Sequence, residues 1–367
     1  MRKRISPPIS IAYLKAAARP WSIILLALLL CCAPAFPQQP VRDNVKLAEI
    51  HARDPFILAD QPTHTYYFYL SAAPGVAGNR NAGVAVYKSK DLQTWSGPYV
   101  VFEVPDGIWA NPQEPVWAPE VHFYNGKYYL FVTLHNSAQS LPAPDDDSKG
   151  FHIRVTVNGK SAAHLRGTQV FVSESPSGPF KLLGSRPIAP ADYMTLDGTF
   201  YVEDGQPYMI YAHEWVQLVD GAMEAIPMRP DLSAASGKPI YLFKGSDAPW
   251  LKQQTDTSSI PRKYVTDGPE LYRTHTGRLL MLWASYRDRE YVETLAHSTS
   301  GNLAGPWKQD GILVGENSGH GMLFTTFSGK LMLILHHTAE GQPVSDKLYE
   351  AEDTGETIQL KTGKPLP

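Results

Sequence analysis

Three aspartates of this chain stand at the heads of apolar runs, each directly before proline or glycine. They are Asp54 in RDPFI, Asp197 in TLDGTFYV and Asp267 in VTDGPELY. Aspartate is common in turns at such positions, so a turn role accounts for any one of them. Turn geometry alone would not select aspartate over Asn, Ser or Gly three times. The pattern therefore indicates carboxylates that act together in acid and base chemistry.

Five short aromatic or aliphatic runs recur along the chain. Four of them directly follow a turn signal, which predicts the second arm of a β-hairpin. The runs cover residues 66–72, 127–134, 206–212, 278–285 and 330–337, and the turn signals are Asn125-Gly126, Asp204-Gly205, Thr276-Gly277 and Ser328-Gly329.

A second motif, a Ser-rich bend that ends in Gly-Pro, recurs at 86–98, 170–180 and 296–307, with a weaker copy at 227–240. A repeat of roughly 50 to 80 residues with about four strands is typical of a β-propeller. We therefore predict an all-β, five-bladed β-propeller. A pair of two-sheet sandwiches is the alternative, but it would not require the repeated Gly-Pro ending. In a propeller, carboxylates that head inner strands at the same phase converge on the axis.

Residues 1–38 differ from the rest of the chain. Five basic residues precede the apolar run SIILLALLLCCA and the small residues Ala33-Pro34-Ala35, the order of a signal peptide. We predict its removal, which leaves 39–367 as a single catalytic propeller domain in a secreted or periplasmic protein. A retained membrane anchor is the alternative, although the run is short for a span. Both cysteines, Cys31 and Cys32, lie in this segment.

Composition limits the partners of the mature chain. Removal of the first 38 residues takes five basic and no acidic residues, which lowers the formal charge from −3 to about −8. This charge does not favour nucleic acid or an anionic membrane surface. The 19 Tyr and 8 Trp fit β structure and would also suit a carbohydrate cleft. We expect a monomer with a carbohydrate partner.

The stretches RDPFI, VWAPEV, LDGTFYVEDGQPYMIY, TDGPELYR and GHGMLF resemble glycoside hydrolase family 43 in the same order along the chain. The resemblance implies a hydrolase of α-L-arabinofuranosyl or β-D-xylosyl linkages in plant polysaccharides that inverts the anomeric centre. It implies Asp54 as the base that activates water, and Asp197 as the carboxylate that raises the pKa of the acid. Asp267 falls where the family has its general-acid glutamate.

Aspartate is one methylene shorter than glutamate, which leaves the acid open. Glu214, between His213 and Trp215, is the second candidate after Asp267. Glu270 is a weaker substitute, because three steps along a strand from Asp267 should turn it to the other face.

Four further residues are predicted to contact substrate: Trp117, Glu120, Trp215 and His320. For Glu120 a structural ion pair is the alternative. The resemblance implies that His320 lies near the axis, where the family holds a calcium or sodium ion. A lone histidine is more often a core residue, and calcium prefers oxygen ligands. We therefore assign no metal ligand and expect no required cofactor, with calcium at the axis left open.

Two other functions compete with this hypothesis. A non-catalytic carbohydrate-binding propeller that has lost turnover is supported by the aspartate at position 267. A fructan-acting propeller enzyme is the other, and the first blade lacks the Asn-Asp-Pro-Asn-Gly type motif that it would require.

Overall fold

Nearly all regular structure in this computed structural model is antiparallel β-sheet. The structure describes residues 40–142, 156–157, 160–161, 163–253 and 264–366, and the predicted signal peptide lies outside them. All described residues belong to one compact unit. No helix among them has the length and apolar character needed to cross a membrane.

The first two blades span the N-terminal part of the described chain. Blade 1 contains β1 (Arg42–Val45), β2 (Phe56–Asp60), β3 (Thr65–Ala72), β4 (Gly83–Ser89) and β5 (Trp95–Glu103), and a 3-10 turn covers Leu47–Glu49. Blade 2 contains β6 (Trp117–Tyr124), β7 (Lys127–Asn136), β10 (Leu165–Ser173) and β11 (Lys181–Leu182). The two-residue strands β8 (Thr156–Val157) and β9 (Lys160–Ser161) pair with each other between β7 and β10.

The remaining three blades follow in chain order. Blade 3 contains β12 (Thr195–Glu203), β13 (Gln206–His213), β14 (Ala222–Pro227) and β15 (Ile240–Lys244), with the short helix α1 (Trp215–Leu218) after β13 and 3-10 turns at Gly245–Asp247 and Pro249–Gln253. Blade 4 contains β16 (Asp267–Arg273), β17 (Leu279–Arg287), β18 (Glu290–Ser298) and β19 (Trp307–Val314). Blade 5 contains β20 (Ser318–Thr325), β21 (Leu331–His337), β22 (Ser345–Asp353) and β23 (Ile358–Leu360).

The pairing of these strands confirms the five-bladed prediction. Each blade is a meander in which the first strand, β2, β6, β12, β16 or β20, is the inner one, and β1 adds an outermost strand to blade 1. The four predicted turns connect the first and second strands of blades 2 to 5. The predicted Gly-Pro repeats are also equivalent, since all three contain a cis peptide bond before proline.

The hydrophobic core lies between neighbouring blades. One buried cluster joins blades 1, 2 and 5 and contains large side chains such as Phe68, Trp95 and Leu130. A second, around Trp283, joins blades 3 and 4, and two smaller clusters lie between blades 2 and 3 and between blades 4 and 5. Apolar side chains on both faces of each sheet are thereby buried, which explains the nearly continuous apolar runs in the sequence.

The inner strands share one irregularity close to their first residues. In each blade one residue has a left-handed backbone with φ between 42° and 55° and is followed by proline or glycine: Asp54, Ala118, Asp197, Gly268 and His320. In blades 2 to 5 the register of the inner strand shifts at this residue, which is the signature of a β-bulge. The five residues therefore form a layer across the axis, which we call the bulge ring.

The bulge ring corrects one prediction. Asp54 and Asp197 occupy equivalent positions, but Asp267 precedes the ring residue of its blade, Gly268. The three aspartates therefore do not share one phase of the repeat. Asp267 is instead equivalent to Trp117, the residue before Ala118.

Gly268 is required at its position for two reasons. Its backbone is left-handed, and a Cβ there would lie 2.7 Å from Cγ of His320. We expect Gly268→Ala to lower the free energy of unfolding by about 3 kcal/mol, because strain costs about 1 kcal/mol and overpacking adds roughly 1 to 3. Gly277→Ala, at φ 91° with no atom within 4 Å, is the matched control and should cost about 1 kcal/mol. Urea unfolding compares the two, and equal losses would contradict the close packing on His320.

Candidate active site

Three polar members of the bulge ring converge at the propeller axis. Nδ1 of His320 lies 3.1 Å from Oδ1 of Asp54 and 3.7 Å from Oδ2 of Asp197. The two aspartates come from blades 1 and 3, so the ring joins residues far apart in sequence. Asp197 and His320 are buried, whereas about a sixth of the Asp54 side chain is exposed, at 17%. The side chain of Asp54 is thus the one most accessible to a small molecule.

The His320 imidazole sets the charge of Asp54. Burial alone would raise the pKa of Asp54, but the charge and hydrogen bond of His320 outweigh it, and the pKa lies below its ordinary value. Burial alone would lower the pKa of His320, yet Asp54 and Asp197 raise it well above the ordinary value. At neutral pH the pair is therefore an ionised carboxylate and a protonated imidazole.

A second histidine fixes the backbone of Asp54. The N–H of Asp54 donates a hydrogen bond to Nδ1 of His336, at 3.2 Å. Burial lowers the pKa of His336 to about 4, despite the opposing charge of Asp54. His336 is therefore neutral and able to accept this bond.

Asp197 and Asp267 form a pair of carboxyl groups beside this ion pair. One oxygen of each lies within 4.8 Å of the other. Burial, followed by the charge of Asp267, raises the pKa of Asp197 well above its ordinary value. The Gly268 N–H also donates to Oδ2 of Asp197 at 3.2 Å. Asp197 thus keeps its proton at a pH where Asp54 is ionised.

Glu214 directly precedes α1 and is completely buried. Its Oε1 contacts Nη1 of Arg166, and no described group donates a hydrogen bond to its Oε2. Burial raises the pKa of Glu214 to about 7, against the opposing charge of Arg166, and Asp267 adds to the increase. Glu214 therefore holds a proton near neutrality but lies enclosed.

Trp117 is an exposed aromatic residue next to Ala118 of the bulge ring, with 37% of its surface accessible. Its ring lies 4.5 Å from Cζ of Arg166 and packs against the edge of His135 at a centroid distance of 4.2 Å. Arg166 Nε in turn donates to His135 Nδ1 at 2.9 Å. Arg166 thus holds both the indole of Trp117 and the carboxylate of Glu214.

Glu120 and Glu270 lie two residues beyond the bulge ring on their inner strands. Together with Asp54 and His320 they line a narrow cavity inside the channel. Oε2 of Glu120 lies 2.8 Å from Nε2 of His122, so the structure gives Glu120 a hydrogen-bond partner. Burial, followed by the charge of Glu120, raises the pKa of Glu270 well above its ordinary value.

The expected orientation of Glu270 was wrong. Asp267 pairs with Ala284, and Glu270 pairs with Leu282, so three residues on β16 match two on β17. The bulge at Gly268 absorbs the extra residue, and strict alternation therefore does not hold between Asp267 and Glu270. Glu270 faces the channel as a consequence.

Trp215 lies apart from these groups. It is half-buried in α1 and packs against the apolar cluster between blades 3 and 4. Packing therefore accounts for this aromatic residue, and a contact with substrate stays a prediction.

Asp197, Asp267 and His320 also bring one ligand atom each within 4.8 Å of one another, as a metal site would require. Their donors are two carboxylates and one imidazole, whereas calcium takes six to eight oxygen ligands. Each of the three also has a protein partner: Asp197 accepts the Gly268 N–H, Asp267 accepts the Tyr291 hydroxyl, and His320 contacts Asp54. This set fits calcium poorly, so no step of the chemistry is assigned to a metal.

Sequence reasoning did not find Tyr291, His336 or Arg166. Tyr291 Oη donates to Oδ2 of Asp267 at 2.6 Å, and the other two hold Asp54 and Glu214. All three lie on second or third strands of their blades, in β18, β21 and β10. Their sequence surroundings resemble any other half-apolar strand, so only the fold reveals them.

The sequence matches glycosyl hydrolases family 43 over residues 47–358. The chain belongs to this family, a class of enzymes that hydrolyse O-glycosyl bonds. The resemblance of its motifs is thereby confirmed.

Three relatives illustrate the match. The structure of an endo-arabinase from Bacteroides thetaiotaomicron VPI-5482 is 35% identical with a TM-score of 0.69, over 84% of this chain and 97% of that one. An endo-1,4-beta-xylanase from the same organism is 19% identical with a TM-score of 0.63, over 89% and 99%, and supports the fold alone. The extracellular endo-alpha-(1->5)-L-arabinanase 1 of Bacillus subtilis (strain 168) is 31% identical over 75 residues, 19% of this chain and 23% of that protein.

Glu293 lies behind His320 and makes stability depend on pH. Its Oε2 accepts the Gly321 N–H at 2.8 Å, its Oε1 has no partner among the described residues, and burial raises its pKa from 4.5 to about 8. The unfolded chain therefore releases this proton first as pH rises. The stability gained from neutral Glu293 is full below pH 4.5 and is lost as pH rises to about 8, at up to about 1.4 kcal/mol per pH unit.

We expect Glu293→Gln to keep the hydrogen bond from Gly321 and to remove this loss. The variant should gain stability over the wild type progressively between pH 5 and pH 8. Urea unfolding at three pH values measures the difference, with the exposed Glu340→Gln as control. A difference that does not change with pH would show that Glu293 is already ionised in the folded state.

Proposed function

We propose that this protein is an inverting glycoside hydrolase that cleaves α-L-arabinofuranosyl linkages within plant arabinan. The observation that carries the proposal is the convergence of Asp54, Asp197 and Asp267 around His320. Contact with His320 keeps the pKa of Asp54 below its ordinary value, whereas burial raises the pKa of Asp197 well above it. A base and an acid in one pocket are the two groups that inversion requires.

Each group then has a distinct task. A water molecule attacks the anomeric carbon and gives one proton to Asp54. The bond to the departing oxygen breaks, and that oxygen takes the proton of Asp267. Asp197 lies beside Asp267 and fixes its orientation. Trp117, exposed beside the pocket, offers a face on which a sugar ring can stack.

Asp267 is preferred over Glu214 as the acid because of access. Glu214 is fully buried and held by Arg166, whereas Asp267 is partly exposed. Glu214 has a suitable pKa of about 7, so it remains the second candidate.

Arabinan is the preferred substrate because both relatives above 30% identity are described as arabinan-cleaving, endo-acting enzymes. β-D-xylosyl linkages are the second class, supported only by a relative of similar fold. The residues of the bulge ring would serve both substrate classes, and the loops above the ring would determine which linkage is cleaved.

We expect the wild type to release oligosaccharides from linear 1,5-α-arabinan, with the inverted anomer formed first. Asp54→Asn and Asp267→Asn should each lower kcat by about 10²- to 10⁴-fold, since each removes one proton-transfer group. Reducing-sugar assays give the rates, and proton NMR of the first product gives the anomer. The control is Asp310→Asn on outer strand β19, whose carboxylate also contacts a histidine, His297, at 2.7 Å. It should retain activity.

The outcomes separate the alternatives. Binding of arabinan without turnover by the wild type would support a carbohydrate-binding propeller. Activity retained in Asp267→Asn but lost in Glu214→Gln would assign the acid to Glu214. Retention of the anomer would contradict inversion.

A further inference from the structure

Among the residues that the structure describes, Tyr291 donates a hydrogen bond from its hydroxyl to Asp267, the proposed acid. Its Oη lies 2.6 Å from Oδ2 of Asp267. We propose that Tyr291 is a positioning residue for proton transfer, whose hydroxyl stabilises the carboxylate that Asp267 becomes when its proton moves to the leaving group. This inference rests on the proposed function and adds a residue to it.

The fold holds the Tyr291 ring in place on two sides. Its ring stacks on His336 with centroids 5.4 Å apart and planes 16° apart. On the other side, a Cβ at Gly319 would lie 2.6 Å from Cε1 of Tyr291, so the ring occupies the space that a side chain would take. His336 also accepts the Asp54 N–H. One stack of rings therefore fixes the acid and supports the base.

Tyr291 acts as a donor and not as an acid itself. Burial raises its pKa well above the ordinary value, and the charges of Asp267 and Asp54 raise it further. The phenol keeps its proton throughout the reaction, so its hydrogen bond to Asp267 always points toward the carboxylate.

The hydrogen bond from Tyr291 to Asp267 matters most during the proton-transfer step. The proton leaves Asp267 for the glycosidic oxygen, the bond from the anomeric carbon to that oxygen breaks, and its electron pair stays on the oxygen. Negative charge then develops on Asp267, beside Oη of Tyr291. Hydrogen bonds to a charged acceptor are roughly twice as strong as those to a neutral one. The bond therefore strengthens as the transition state forms.

Several titratable groups interact with Asp267 besides Tyr291. They are Asp197 on β12, Glu214 after β13, Tyr286 on β17, Glu293 on β18, His320 on β20 and His336 on β21. Replacing Tyr291 by phenylalanine leaves all of these in place and removes one donor to a carboxylate. Because a hydrogen bond to the ionised form of a carboxyl group favours that form, its loss should move the basic limb of the pH profile to higher pH.

The experiment compares two leaving groups in Tyr291→Phe. We expect kcat for an arabino-oligosaccharide to fall by about 10- to 100-fold. The 4-nitrophenyl glycoside of the same oligosaccharide needs little protonation, and its kcat should fall less than threefold. The basic limb of the pH profile of kcat should move up by about one pH unit.

A matched control tests whether any lost tyrosine hydroxyl has this effect. Tyr128 is buried and donates to Oδ1 of Asp60 at 2.7 Å, next to the turn at Asn125-Gly126 and far along its strand from the bulge ring. Tyr128→Phe therefore removes a similar hydrogen bond outside the site. We expect its activity on both substrates to match the wild type.

The results separate this inference from the function on which it rests. A wild type that hydrolyses neither substrate contradicts the proposed function. An active wild type, with equal losses on both substrates in Tyr291→Phe or an unmoved basic limb, shows that Tyr291 is only structural. Should Tyr291→Phe not fold, 3-fluorotyrosine at position 291 keeps the shape and strengthens the donor. The basic limb should then move to lower pH, and an unmoved limb overturns the proposal.

Discussion

The left-handed residue at the head of each inner strand is the constraint on which the site depends. A regular strand would send successive side chains to alternate faces, but the bulge adds one residue and bends the strand toward the axis. Three of the five positions carry Asp54, Asp197 and His320, and the other two carry Ala118 and Gly268. Gly268 leaves the space that the imidazole of His320 fills. The β-bulges therefore account both for the meeting of the polar side chains at the axis and for the close packing around His320.

Burying so many carboxyl groups would destabilise the fold if all of them were ionised without partners. Two features of the cluster avoid this. One carboxylate, Asp54, is ionised because a protonated imidazole contacts it directly. The others keep protons, as burial raises the pKa values of Asp197, Glu270 and Glu293. A buried charge without a partner would be far less favourable than a neutral acid. Burial therefore limits the number of charges that the fold must enclose and leaves protonated carboxyl groups beside the ionised Asp54.

Repetition in the sequence was sufficient to predict the five blades, because turn pairs and Gly-Pro bends recur with the period of the fold. It also predicted that Asp54, Asp197 and Asp267 would converge on the axis, and the family resemblance placed His320 near them. The phase of Asp267 and the direction of Glu270 could not be predicted, since a bulge looks like any other pair of strand residues until its partner strand is known. Arg166, Tyr291 and His336 escaped for a related reason. Their contacts join residues that are far apart in the sequence, and local patterns do not show such contacts.

The aspartate at position 267 illustrates how neighbouring residues can compensate for a shorter side chain. It precedes the bulge ring instead of belonging to it, so its carboxyl group needs other contacts to hold it at the axis. Asp197 supplies one contact and Tyr291 supplies another, from two different blades. Glu214 lies close enough to sense the charge of Asp267 but is held away by Arg166. Because each of these neighbours is fixed by its own strand, the position of the Asp267 carboxyl group depends on several blades and not on one residue.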